Sequence, residues 1–246
     1  MVDTEITERL QPLLAGGVCS IDPDGALRFV NHTSRPGPFL FQLIPHRNRC
    51  LLWFHVMFET FGFVPSPCYS CWKTVVYPRD VEQLFRLYDL QQGLHRLSKC
   101  GMEMRPYVPA DYSGYFYHSS REAALENHAQ IEAAVFRELG RDTKVFLKRA
   151  CTELTMKFGD PDGWRPAAEE PALEQRIARL FADEVYDAHQ PPEVARQVQR
   201  DWVLWAYRRG DRTYTKYLDS FDIFSDYILV PGDGDAADLQ FAVLQL

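Results

Sequence analysis

The segment from Lys73 to Lys148 alternates short β-rich runs with two long helical patterns, and that order limits the folds open to the chain. Lys73-Thr74-Val75-Val76-Tyr77 is β-branched and aromatic and is stopped by Pro78. Asp80 then stands at a helix N-cap position. Val81, Leu84, Leu87, Leu90, Leu94 and Leu97 recur by threes and fours, with Gly101 at the expected C-cap. Met102 to Tyr107 reads as a second strand. Pro109, Asp111, Ser113 and Gly114 supply turn chemistry before a third strand, Tyr115-Phe116-Tyr117. Ser119 and Glu122 form a capping box for a second helix, whose buried face would be Ala124, His128, Ile131, Val135 and Leu139 and which Gly140 ends. Thr143 to Lys148 is the fourth strand.

Strand, helix, strand, strand, helix, strand is the split-βαβ order, so the expected class is α+β with a ferredoxin-like core. Pro106 in the second strand and the lysine-rich fourth strand suit sheet edges, whereas Val75-Val76 and Tyr115-Phe116-Tyr117 suit the interior.

The flanks read as additions to this core. A helix from Thr4 to Leu14 ends at Gly16-Gly17, and Asp22-Pro23-Asp24-Gly25 is a hairpin turn between two short apolar runs. A helix from Arg47 to Thr60 carries Cys50 and is stopped by Gly62. Beyond Cys151, Leu173, Ile177, Leu180 and Phe181 make one amphipathic stripe, and Val194, Val198, Trp202 and Trp205 another. The tail from Ile228 to Leu246 reads as a last strand pair. The expected organisation is a lead-in over 1–66, the core over 67–152 and a helical region over 153–246, packed as one compact unit.

Charge and hydropathy remove several function classes. A net charge of -7 offers no general field for a phosphate backbone, so nucleic acid is not an expected partner. The acidic start lacks the basic and apolar regions of a secretory signal. The longest apolar run, Cys50 to Phe58, is interrupted by His55 and falls short of the ~20 residues a membrane span needs. The expectation is a cytoplasmic protein without membrane partners. Phosphate-binding, zinc-protease, nucleophile-elbow and calcium-loop patterns are all missing.

Six cysteines stand at 19, 50, 68, 71, 100 and 151. In a reducing compartment, and in a chain this long, they point to metal or catalysis rather than to disulfide staples. Cys19, on an alternating run, reads as core. Cys68-x-x-Cys71 precedes the first strand, Cys100 precedes the second as read above, and Cys151 follows the fourth, so the topology sends all four to one rim of the sheet. Cys50 is a substitute or fifth member.

Only one close cysteine pair is present, the others are scattered, and aromatics surround them. Such a set suits a [4Fe–4S] cluster better than a closed zinc site. The expected function is therefore an iron–sulfur protein, either a cluster-dependent redox or lyase-type enzyme or an electron carrier, acting on a small-molecule substrate or with a redox partner protein. The first alternative is a zinc-stabilised interaction module, with four cysteines or with His95 sharing the ion with Cys100. The second is a thiol–disulfide oxidoreductase, since Cys-x-x-Cys is also the redox-active spacing. Glu153, Lys148 and Arg149, beside Cys151, are candidate catalytic groups.

Overall fold

The computed structural model describes residues 3–23, 25–30, 37–43, 50–181, 190–221 and 223. The chain begins with two short helices, α1 (Thr4–Arg9) and α2 (Gln11–Ala15), followed by a hairpin of β1 (Cys19–Ile21) and β2 (Leu27–Phe29). The hairpin closes at Asp22, whose carbonyl accepts from the Gly25 N–H at 2.9 Å; Gly25 takes the positive φ that the turn requires. Ile6, Leu10, Cys19 and Leu27 bury here against Leu52, Val56, Met57 and Phe63 of the following segment, and Ile177 joins them from further along the chain. Cys19 is thus a core residue, as its alternating run implied.

After β3 (Phe39–Gln42), the helix expected over Arg47–Thr60 is described from Cys50 onward, and Leu52–Thr60 is wound as a π-helix. Residues 44–49 lie outside the described residues. A 3-10 turn, Ser66–Tyr69, carries Cys68 into β4 (Trp72–Tyr77).

The chain continues as α3 (Val81–Leu94), β5 (Ser98–Met102), β6 (Tyr112–His118), α4 (Arg121–Leu139) and β7 (Lys144–Arg149). The sheet is five-stranded, in the order β3-β5-β6-β4-β7, and every neighbouring pair is antiparallel. The class is α+β.

Four expectations shift. The helix α3 stops at Leu94, because His95 adopts the left-handed conformation (φ 49°) expected instead of Gly101. The second core strand therefore starts at Ser98 rather than Met102, and Pro106 falls after it. That strand is not an edge either, since β3 pairs along it from Phe39↔Gly101 to Gln42↔Ser98. Gly101 is explained by this pairing: a Cβ there would collide with the Pro38 carbonyl oxygen and the Phe39 Cα. The second helix is capped by Ser120, whose Oγ accepts from the Ala123 N–H at 3.1 Å, and not by Ser119.

The helices α3 and α4 cover one face of the sheet, joined by α7 (Pro192–Arg209). Leu84, Leu87, Ile131, Val135, Val198 and Trp202 pack there on Leu40, Val76, Cys100, Tyr112 and Phe116. The Trp202 indole N–H donates to the Pro38 carbonyl at 2.8 Å and so ties α7 to β3. Between β7 and α7 lie α5 (Thr152–Phe158) and α6 (Glu170–Leu180), and α8 (Leu218–Phe221) follows α7. The strand pair expected over Ile228–Leu246 falls outside the described residues.

Candidate functional site

Strand alternation sorts the site. Directly paired residues share a face, so the register places Leu40, Cys100, Gly114, Val76 and Val145 in one row on the helix-covered face. The next row, Phe41, Lys99, Tyr115, Val75 and Phe146, lies on the opposite face, beside Tyr117, Lys73 and Lys148.

Cys100 is accordingly a core residue. It has no exposure, packs in the helix-side cluster, and its thiol is pushed far up by burial. The rim expectation for Cys100 rested on placing it before the second strand, whereas it is the third residue of β5. His95, its proposed companion in a mixed zinc site, is exposed on the left-handed cap of α3.

The other four thiols gather on the opposite side, at the start of β4 and the end of β7. Each pair among Cys50, Cys68, Cys71 and Cys151 lies within mutual electrostatic reach. Burial pushes the Cys50 thiol up to about 11, with Cys151 and Cys71 adding in the same direction, although the residue as a whole is exposed. Burial raises Cys68 and Cys71 as well. Cys68 and Cys151 pack on the same small cluster of Phe58, Val64, Ala150, Leu154 and Trp164.

Two backbone features hold this rim. The Ala150 N–H donates to the Cys71 carbonyl at 2.8 Å, which clamps the end of β7 to the Cys-x-x-Cys turn. Ala150 itself is fully buried and left-handed (φ 58°), a conformation that costs a non-glycine residue about 1 kcal/mol or more. The Arg149 guanidinium adds a second clamp. It donates from Nε at 3.0 Å and from Nη2 at 2.8 Å to the Tyr69 carbonyl, and from Nη1 at 2.7 Å to Asp162. Arg149 thus positions the turn that carries Cys68.

Sequence reasoning missed Lys73. It is 7% exposed, on an interior strand, and its Nζ donates to the Cys151 sulfur at 3.0 Å and to the Ala150 carbonyl at 3.4 Å. Burial alone would lower its pKa, but the Cys151 and Cys71 sulfurs outweigh that and hold it well above the lysine range. The same pairing acts on Cys151: burial would raise the thiol, yet the charge and hydrogen bond of Lys73 leave it below the ordinary cysteine value. The readable signal was a lysine inside a strand of aromatic and β-branched residues, two residues from a cysteine.

Glu153 and Lys148 fall into place around this centre. The Glu153 Oε1 accepts from the Tyr107 hydroxyl at 2.6 Å and from Arg105 Nη1 at 3.1 Å, while its Oε2 is buried without a hydrogen-bond partner among the described residues. Arg105 also forks onto Glu103, Nη2 to Oε2 at 2.6 Å and Nε to Oε1 at 2.7 Å. Lys148 donates to the Thr152 hydroxyl.

Among the described residues, no three His, Cys, Asp or Glu side chains surround one point as ligands of a single ion would. What the rim offers is four sulfur donors within electrostatic reach of one another and of a buried ammonium.

Comparison with protein-family models, curated proteins and solved structures gave no significant match. The site therefore stands on its own geometry. Among the described residues, no helix is long and apolar enough to cross a membrane.

Proposed function

We propose that the chain is a cytoplasmic iron–sulfur protein whose [4Fe–4S] cluster is held by Cys50, Cys68, Cys71 and Cys151. The observation that carries this reading is the Lys73 ammonium, buried among those thiols at 3.0 Å from Cys151, with sulfur rather than carboxylate as its counter-charge. Burying a cation is costly unless it is paired, and the pairing group at hand is the Cys151 sulfur, with the Ala150 carbonyl beside it. Three of the four thiols are held protonated by burial when no metal is bound, so loading releases protons and brings the negative charge that Lys73 offsets. A cluster bound there would supply one-electron transfer.

We read the order β7-β4-β6-β5, with α3 and α4 on one face, as a ferredoxin-like core to which β3 is added, a name that describes topology and implies no cofactor. In this reading the chain's own residues hold the thiols at the rim through Ala150 and Arg149, and keep water from the sulfurs with Phe58, Trp164 and Tyr117. With four cysteines committed, electron transfer to a small molecule or a partner protein is the role the set supports best.

The test is anaerobic purification from iron-replete cells, followed by an absorption spectrum and assay of iron, sulfide and zinc on one sample. About four irons and four sulfides per chain with a shoulder near ~400 nm is the expected result. A colourless protein that takes up no iron on reconstitution overturns it, and stoichiometric zinc would favour the interaction module.

The Lys73–Cys151 pair favours one second reading, thiol–disulfide chemistry with Cys151 as nucleophile and a neighbouring cysteine as resolving thiol. A metal-free protein that forms a Cys151 disulfide under mild oxidation would support it.

A further inference from the structure

The face of the sheet that carries the cysteines also carries a second buried-side lysine that the cluster does not use. Lys99 lies in the middle of β5, paired with Phe41 on one side and Tyr115 on the other. Its Nζ sits 4.4 Å from the centre of the Phe39 ring, 5.3 Å from that of Tyr115 and 5.9 Å from that of Phe41. Four of the chain's six lysines, 73, 99, 144 and 148, share this face, and they differ in what holds them. Lys73 has Cys151, Lys148 has Thr152, and Lys144 is exposed over Tyr77 and Phe146. Among the described residues, Lys99 has neither a hydrogen-bond acceptor nor a carboxylate, only three aromatic faces.

Three features of that box matter to an amine. The ring faces attract an ammonium, but they also replace water around the nitrogen, and that loss of water disfavours the charged form. The cations Lys73 and Arg105 act against a charged amine here and outweigh the opposite effect of Cys151 and Cys50, and Arg105 already has its carboxylates in Glu103 and Glu153. Burial followed by these two cations brings the Lys99 ammonium down to about 8, so a substantial fraction is the neutral amine near physiological pH. The residue as a whole keeps part of its surface exposed.

We propose that Lys99 is a nucleophilic amine that forms an imine with a carbonyl compound, a small flat aldehyde or ketone seated against Phe39, Phe41 and Tyr115. The nitrogen lone pair attacks the carbonyl carbon, a C–N bond forms, and the carbonyl oxygen leaves as water with the two amine hydrogens. No oxidant or reductant is consumed, and the product is a C=N bond to the protein. The aromatic lining favours apolar carbonyls over charged ones. The step uses none of the rim thiols as a reactant, although Cys151 and Cys50 lie within electrostatic reach of Lys99.

The test uses the full chain at pH 7 with benzaldehyde as probe and cyanoborohydride to reduce any imine to a stable secondary amine, read by peptide mass spectrometry over all six lysines. Lys99 is expected to be labelled at least about tenfold faster than the exposed lysines, because a pKa near 8 exposes far more free amine than an ordinary lysine near ~10.4. Lys99→Arg keeps a cation on the rings but cannot form the imine. In that variant labelling at 99 is lost, labelling elsewhere is unchanged, and circular dichroism reports the fold separately. Labelling of Lys99 no faster than of Lys144 or Lys216 overturns the assignment. The readout is a lysine adduct, so it stands or falls apart from iron content.

Discussion

Lys73 Nζ lies 3.0 Å from Cys151 Sγ, bridging the second residue of β4 to the residue that follows the β7 bend. The strand register sets the pairing, because Lys73 stands opposite Lys148, three residues before Cys151. The left-handed Ala150 then turns the chain back so that the sulfur meets the ammonium.

Replacing Lys73 by Met removes the charge that keeps Cys151 below the ordinary thiol value, leaving burial unopposed. In the metal-free protein, alkylation of Cys151 by iodoacetamide at pH 7 should slow by at least about tenfold, the equivalent of one pKa unit. Cys19 and Cys100, buried away from Lys73, serve as internal controls in the same digest. An unchanged rate at Cys151 would show that Lys73 does not govern the thiolate.

The pair also makes stability depend on pH with a definite sign. The folded Cys151 pKa is depressed, so its contribution is full above the unfolded thiol value of about 8.5 and is lost as pH falls through the folded value. The folded Lys73 pKa is raised, so its contribution is full below the unfolded lysine value of about 10.4 and is lost as pH rises through the folded value. Both therefore act together between about 8.5 and 10.4. Thermal melts of metal-free wild type and Cys151→Ala should differ more at pH 9 than at pH 6. A gap that does not widen contradicts the pairing.

Arg105 is the only cation that neutralises Glu103 among the described residues, and the Glu103 side chain is 1% exposed. Burial would raise the Glu103 pKa, but the hydrogen bonds and charge of Arg105 outweigh it, so the folded group is an ionised carboxylate. Arg105→Leu strands that charge, and since the arginine is itself partly exposed, the cost should be about 2–3 kcal/mol rather than the full value of a sealed pair. In a chain of this size that is a fall in Tm of roughly 6–10 °C. Glu103→Gln, which leaves Ser113 and Tyr115 as hydrogen-bond partners, should cost less. Equal melting of wild type and Arg105→Leu would count against the network.

Gly101→Ala tests the added strand. A methyl there meets the Phe39 backbone and the Pro38 carbonyl oxygen, which also accepts the Trp202 hydrogen bond, so any shift that relieves the clash disturbs that bond. The variant should lose about 2 kcal/mol or more and show faster amide exchange through β3 and β5 while β4 and β7 stay protected. Uniform exchange across the sheet would indicate that β3 is not a separable addition.

The βαββαβ order was legible because each of its elements carries its own period: alternating or β-branched runs at Lys73–Tyr77 and Thr143–Lys148, and a leucine stripe between. The fifth strand was not, because Phe39–Gln42 is four residues long and its partner is 60 residues away; only Gly101, which also fits a helix C-cap, hinted at it. The same ambiguity displaced the start of β5 by four residues. That shift decided the fate of Cys100, since its side depends on strand parity rather than on nearness to a strand end. Cys68, Cys71 and Cys151 lie outside the strands, where parity does not sort them, so their nearness followed from the strand ends alone. Cys50 could be placed only by the long-range packing of the segment that follows it. Lys73 and Lys99 were hidden for a related reason: in sequence each is a surface residue type within a strand, and only the sheet register shows that each faces sulfur or aromatic rings.

The central claim is that Cys50, Cys68, Cys71 and Cys151 form the ligand set and Cys100 does not. Its most direct test is iron and sulfide content per chain, measured anaerobically on wild type, Cys71→Ser and Cys100→Ala prepared in parallel. Cys100→Ala should keep about four irons and the ~400 nm shoulder with only a modest loss of stability, while Cys71→Ser should lose both. Wild type without iron after reconstitution, or Cys100→Ala as empty as Cys71→Ser, would contradict it.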